Sequence, residues 1–123
     1  MTKRKILVVD DDEAVLDFLQ AKLGERFNLV STTVSGNVMR LALDEKPDLI
    51  VCDFDMPDMD GADVSAALYD DGETHHIPLL FLTGLATPAD IKRLQGQMGG
   101  RAAMSKRTPI DKLVARIESM IGQ

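Results

Sequence analysis

Three stretches of the chain carry apolar side chains at every position: Ile6–Val9, Leu49–Cys52 and Leu79–Leu82. With no polar alternation and many β-branched residues, each predicts a strand buried on both faces, as in a parallel sheet covered by helices. Phe27–Val30 predicts a short second strand and Ala102–Met104 a weak fifth. The segments between them follow helical spacing. Val15, Leu19 and Leu23 recur every four residues with Phe18 beside them, and Gly24 is the expected stop. Ser35 is placed to cap a helix running toward Lys46, with Val38, Leu41 and Ala42 inward and Pro47 ending it. Val64 and Leu68 mark a third helix, closed by the loop Asp70-Asp71-Gly72. Thr87-Pro88-Ala89-Asp90 and Thr108-Pro109-Ile110-Asp111 are two similar helix openings, each with threonine as cap, proline in the first turn and an acid three residues on. The last helix turns Leu113, Ile117 and Ile121 inward.

Five strands alternating with five helices predict an α/β, doubly wound five-stranded parallel sheet, since parallel strands need crossovers and these are right-handed. The common order for five strands is 2-1-3-4-5, the flavodoxin-like (βα)5 arrangement, with a crevice at the switch point between strands one and three. That order brings distant groups together. Asp10 and Asp11, after the first strand, would face Asp53, after the third, with Thr83 and Lys106 closing the crevice.

At 123 residues the chain fits a single domain, 1–123, large enough for a core of its own. Apolar residues make up 45% and aromatics only 4%, so that core is aliphatic. A formal net charge of −6 argues against nucleic-acid binding by this domain and for cation binding at acidic clusters. Cys52 is the only cysteine and lies inside an apolar run, so no disulfide forms within the chain and a buried, inert thiol is expected. The basic Thr2–Lys5 segment precedes an apolar run too short for a secretory signal, and no stretch has transmembrane length. A cytoplasmic protein with no membrane association is the expectation.

Three carboxylates in one crevice repel one another, by about 1 kcal/mol per pair at 4 Å in water and about 4 kcal/mol when partly shielded. They must take up a proton or bind a cation, and hard oxygen donors with room for water and phosphate suit Mg²⁺. A cation there would screen an incoming phosphoryl group and let Asp53 attack phosphorus, with Thr83 donating to a phosphoryl oxygen and Lys106 pairing with its charge.

Val8-Val9-Asp10-Asp11, Asp53 with Met56-Pro57 and Asp60-Gly61, Leu82-Thr83-Gly84 and Lys106 together resemble the receiver domain of bacterial two-component response regulators, the CheY-like superfamily. The resemblance spans essentially the whole chain. It implies that Asp53 is the phosphoacceptor, that Asp11 and the backbone carbonyl of Asp55 ligate Mg²⁺ directly and Asp10 through water, and that Thr83 and Lys106 are the switch hydroxyl and phosphate-binding lysine. It further implies a histidine kinase or histidine phosphotransfer protein as donor, and a conformational switch that signals to an effector protein or domain. A dimer formed on phosphorylation is compatible with it. Beyond self-phosphorylation and self-dephosphorylation no enzymatic activity is expected.

Three residues depart from the family pattern. Arg107 stands where a cis proline often follows the lysine, so the turn before the last helix is expected to be built differently. Ala103 replaces the usual aromatic, which removes the ring whose rotation couples phosphorylation to output. The expected carrier is then the loop Gly84–Thr87 with the helix that Thr87 and Pro88 begin. Asp55 adds an acid beside the crevice, able to alter phosphoryl lifetime.

Two other classes compete. Asp53-Phe54-Asp55 also resembles the D-x-D nucleophile of haloacid-dehalogenase-type Mg²⁺-dependent phosphatases, although Pro57 stands where that family has threonine or valine. A Ca²⁺ loop with Gly61 as its sixth residue would put Met56 first and Ala67 twelfth, where acids are required, and so fails. His75-His76 reads as an ordinary loop pair, and Met98 and Met104 as core filler.

Overall fold

The computed structural model describes residues 3–122. In chain order it comprises β1 (Lys5–Val9), α1 (Glu13–Leu23), β2 (Asn28–Thr32), a single 3₁₀ turn (Ser35–Asn37), α2 (Val38–Glu45), β3 (Leu49–Cys52) and α3 (Gly61–Asp70). There follow β4 (Leu79–Thr83), α4 (Pro88–Arg93), β5 (Gln97–Met98), β6 (Arg101–Ser105) and α5 (Ile110–Met120). The sheet order is β2-β1-β3-β4-β6-β5. Its five main strands are parallel in the expected 2-1-3-4-5 arrangement, and β5 is an added edge strand, antiparallel to β6.

The continuous apolar runs are explained by two core layers. Leu7, Val9, Ile50, Cys52, Leu79 and Phe81 point to the layer that holds Val38 and Ala42 of α2, Val64 and Leu68 of α3, and Ile91 of α4. Their neighbours Ile6, Val8, Leu49, Val51, Leu80 and Leu82 point the other way, onto Leu16, Leu19 and Leu23 of α1 and Leu113 and Ile117 of α5. A strand with a core on each side has no position left for a polar residue until it ends, and β1 and β3 both end in aspartate.

Local chemistry sets the helix boundaries and corrects several expectations. On α1 the inward residue is Leu16 rather than Val15, which is half-buried, and Phe18 is 52% exposed with Lys22 Nζ 5.8 Å from its ring centre. Asp12 caps this helix by accepting from the Ala14 amide at 3.0 Å. Ser35 caps nothing. It opens the 3₁₀ turn, and α2 begins only at Val38. At Thr87 and Asp90 the expected reciprocal cap is present, with bonds of 3.1 and 2.9 Å. The similar Thr108 does not cap, because Pro109 is extended (ψ 144°) and the helix starts at Ile110, one residue too late for the threonine to reach it.

The largest departure follows α4. The helix stops after six residues, Gln95 and Gly96 turn the chain at φ of 59° and 73°, and a β5–β6 hairpin follows. Gly99 and Gly100, at φ of 57° and 78°, form its two-residue turn, a conformation that glycine adopts without steric cost.

Candidate functional site

The ladder that builds the sheet continues past its strand ends and fixes the carboxylates. The Asp10 amide donates to the Thr32 carbonyl at 3.2 Å, and the Asp53 amide to the Val9 carbonyl at 2.8 Å. The β1–β3 register thus places Asp10 and Asp53 side by side at the switch point. Both are buried, whereas Asp11 is exposed. One carboxylate oxygen from each of Asp10, Asp11 and Asp53 lies within 4.8 Å of the others.

Lys106 reaches this group from the end of β6, where its amide donates to the Thr83 carbonyl at 2.8 Å. Its Nζ lies 2.7 Å from Asp10 Oδ2 and 3.4 Å from Asp53 Oδ1. Burial, and after it the charge of Asp10, push the Asp53 carboxyl up to about 6, with Lys106 pulling the other way. Burial also works against the Lys106 ammonium, but its bond to Asp10 and the two negative charges hold its pKa above the ordinary lysine value. Burial drives the neighbouring Cys52 thiol up to about 12, so it stays protonated and takes no part as a nucleophile.

Three converging carboxylates and one ammonium leave two net negative charges when all are ionised, which suits a divalent cation. Lys106 already bridges Asp10 and Asp53 as a cation would. Asp55 is exposed, and with Asp53, Gly84, Leu85 and Lys106 it lines an open cleft of about 140 Å³ beside the acids. Among the described residues its carbonyl accepts no backbone hydrogen bond. Thr83 is fully buried, and its hydroxyl accepts from the Leu85 amide at 3.0 Å. Asp10, Asp11, Asp53 and Lys106 are thus brought together, and the Thr83 hydroxyl is held in its own loop.

Residues 6–118 match the family model of the response regulator receiver domain. The chain belongs to that family. Among curated relatives, the receiver is 40% identical over 119 residues to the response regulator PleD of Caulobacter vibrioides, covering 94% of this chain but only 26% of that protein. It is 28% identical to the polar-differentiation response regulator DivK of Brucella anthropi, covering 97% of both chains. Among solved structures, the receiver domain of the Francisella response regulator 1452 superposes with a TM-score of 0.78 at 26% identity, over 96% of each chain. The chain is therefore a receiver with the phosphoacceptor role of two-component signalling, and receiver domains are signalling domains. Receiver domains bind Mg²⁺ at an acidic site, and Asp10, Asp11 and Asp53 form a carboxylate cluster of a size able to hold a metal ion. Nothing in these likenesses supports the haloacid-dehalogenase alternative.

The departures from the family pattern have visible consequences. No peptide bond among the described residues is cis. Arg107 has the amide hydrogen that proline lacks, and donates it to Ser105 Oγ at 3.1 Å, while the Thr108 amide donates to the Ser105 carbonyl at 3.0 Å. Ser105, buried and overlooked in the sequence, thereby builds the turn that presents Lys106. Ala103 is buried beside Phe81, its ladder partner on β4, and Phe54 and Met98 pack into the same layer. Phe54 meets Phe81 edge-on, with ring centres 5.0 Å apart and planes at 77°. Its place beside Asp53 was legible in the sequence, but its partner was not.

Proposed function

We propose that Asp53 accepts a phosphoryl group from the phosphohistidine of a histidine kinase or histidine phosphotransfer protein. A carboxylate oxygen of Asp53 attacks phosphorus, a P–O bond forms, and the P–N bond breaks with its electron pair remaining on the imidazole, which takes up a proton. The observation that carries this reading is the joining of buried Asp53 and Asp10 by Lys106 at the switch point of the sheet. Freed from its pairing, Lys106 is placed to follow the new negative charge on the phosphoryl oxygens. The Thr83 hydroxyl accepts from the Leu85 amide and keeps its own proton to donate to a phosphoryl oxygen, a bond that would draw the β4–α4 loop inward.

Asp10, Asp11 and Asp53, with the carbonyl of Asp55, would hold Mg²⁺. The metal, when bound, supplies positive charge against the phosphoryl oxygens. Asp53 is then relieved of the like charge of Asp10 that otherwise favours its protonation. The setting is cytoplasmic, residues 1–123 act as one receiver, and output passes by contact to an effector protein or domain. Activities of longer relatives such as PleD would require segments outside the matched region. Net charge argues against direct nucleic-acid binding.

The test is intact-mass measurement after incubation with a small acyl phosphate and Mg²⁺. The wild type should gain one phosphoryl group that is stable to acid and labile to base. If Asp53→Asn gains it to the same extent, the assignment is wrong.

A further inference from the structure

Ala103 leaves the usual aromatic position of this fold without a ring, yet a ring stands next to the proposed phosphorylation site. Phe54 follows Asp53 directly, so any displacement of the Asp53 main chain is delivered to Phe54 through one peptide bond. There is no slack at this joint. The Phe54 carbonyl accepts from the Gly61 amide at 2.7 Å. A Cβ at Gly61 would lie 2.8 Å from Phe54 Cα, 2.9 Å from the Asp53 carbonyl oxygen and 2.7 Å from Phe81 Cε1. Beyond it, the Phe54 ring is locked edge-on against Phe81.

The β5–β6 hairpin shares a core layer with that aromatic pair through Met98. Its turn lies close by: Gly99 has no side chain, and a methyl group there would come 3.8 Å from Phe81 Cε2 and 4.0 Å from Phe54 Cε2. Elsewhere the hairpin is tied to α3 by the bond that Arg101 Nε donates to Ser65 Oγ at 2.8 Å, but β5 has only two residues, its turn is two glycines, and it forms the free edge of the sheet. A close-packed joint next to a weakly held element passes displacement to that element, because packed side chains shift between discrete arrangements and do not compress.

From this geometry we propose that the Phe54–Phe81 pair couples Asp53 to the β5–β6 hairpin, and that residues 97–101 are an output element of this receiver. The coupling rests on the reading of Asp53 as phosphoacceptor. It runs beside the β4–α4 loop movement and does not need Thr83.

The test uses the full chain labelled with ¹⁵N, with amide signals of Met98, Gly99 and Gly100 recorded with Mg²⁺ before and after addition of a small acyl phosphate. Intact mass is read on the same samples. In the wild type the hairpin signals should shift on phosphorylation. Phe54→Leu should gain the same phosphoryl mass, retain the shift at Gly84, and lose the shift at Gly99 and Gly100. Phe54→Met serves where leucine disturbs folding. A phosphorylated wild type whose hairpin signals do not move overturns the proposal, as does a Phe54→Leu protein whose hairpin still responds. Absence of any phosphoryl gain in the wild type overturns the reading of Asp53 itself and the coupling with it, and the mass spectrum separates that outcome from a failure of coupling alone.

Discussion

Replacing Asp53 by asparagine should stabilise the metal-free protein, and by an amount that depends on pH. The Asp53 side chain is 7% exposed, and its carboxyl is raised from 3.8 to about 6 by burial and the charge of Asp10. In the unfolded chain it returns to the ordinary value. The folded state therefore binds the proton more tightly than the unfolded state. Well below pH 3.8 both states are protonated and Asp53 costs nothing; well above about pH 6 both are ionised and the full cost is present. At about 1.4 kcal/mol per pH unit, that cost is about 3 kcal/mol. Asparagine keeps the shape and removes the charge, while the 2.7 Å pair of Lys106 with Asp10 remains. Urea unfolding in the presence of a chelator, from pH 4 to 8, measures the difference directly. The variant should exceed the wild type by only about 0.5 kcal/mol at pH 4 and by about 2–3 kcal/mol at pH 8. Adding Mg²⁺ should close the gap by stabilising the wild type more. A variant no more stable than the wild type at pH 8, or a gain that does not change between pH 4 and 8, would refute the reasoning.

Asp11→Ala should weaken Mg²⁺ binding at least about tenfold in a calorimetric titration, since one of the three converging carboxylates is lost; an unchanged affinity would move the metal elsewhere. Gly61→Ala should destabilise the fold by about 1–3 kcal/mol in chemical unfolding, because its methyl group lands within 3 Å of Phe54, Phe81 and the Asp53 carbonyl. Removing the reciprocal cap with Thr87→Ala should cost about 1 kcal/mol and raise amide exchange across α4.

Much of this molecule is legible because its strands are buried on both sides. The unbroken runs in β1, β3 and β4 have only one explanation in a chain of this size, and the aspartates that end two of them fall at the switch point once the sheet is parallel. What sequence reading missed is set by tertiary contacts. Val15 and Leu16 are equally apolar, and only the angle at which α1 crosses the sheet decides which faces inward. Thr87 and Thr108 begin nearly identical sequences, yet the extended backbone at Pro109 denies the second a cap. The Gly99-Gly100 pair between Gln97-Met98 and Arg101-Ala102 is a hairpin signal, but a strand of two residues carries no periodicity by which to read it. At the site, the acids and Lys106 are fixed by register, and register follows from strand order. The Thr83 hydroxyl has more than one rotamer open to it until its neighbours are placed, so its engagement with the Leu85 amide could not be read from position alone.

The most direct measurement is localisation of the phosphoryl group. After phosphorylation by a small acyl phosphate with Mg²⁺, borohydride reduction converts an aspartyl phosphate to homoserine, and peptide mass spectrometry finds the altered residue. The arrangement of Asp10, Asp53 and Lys106 predicts conversion at Asp53 and at no other aspartate. Homoserine at Asp10, Asp11 or Asp55 with Asp53 intact would contradict it.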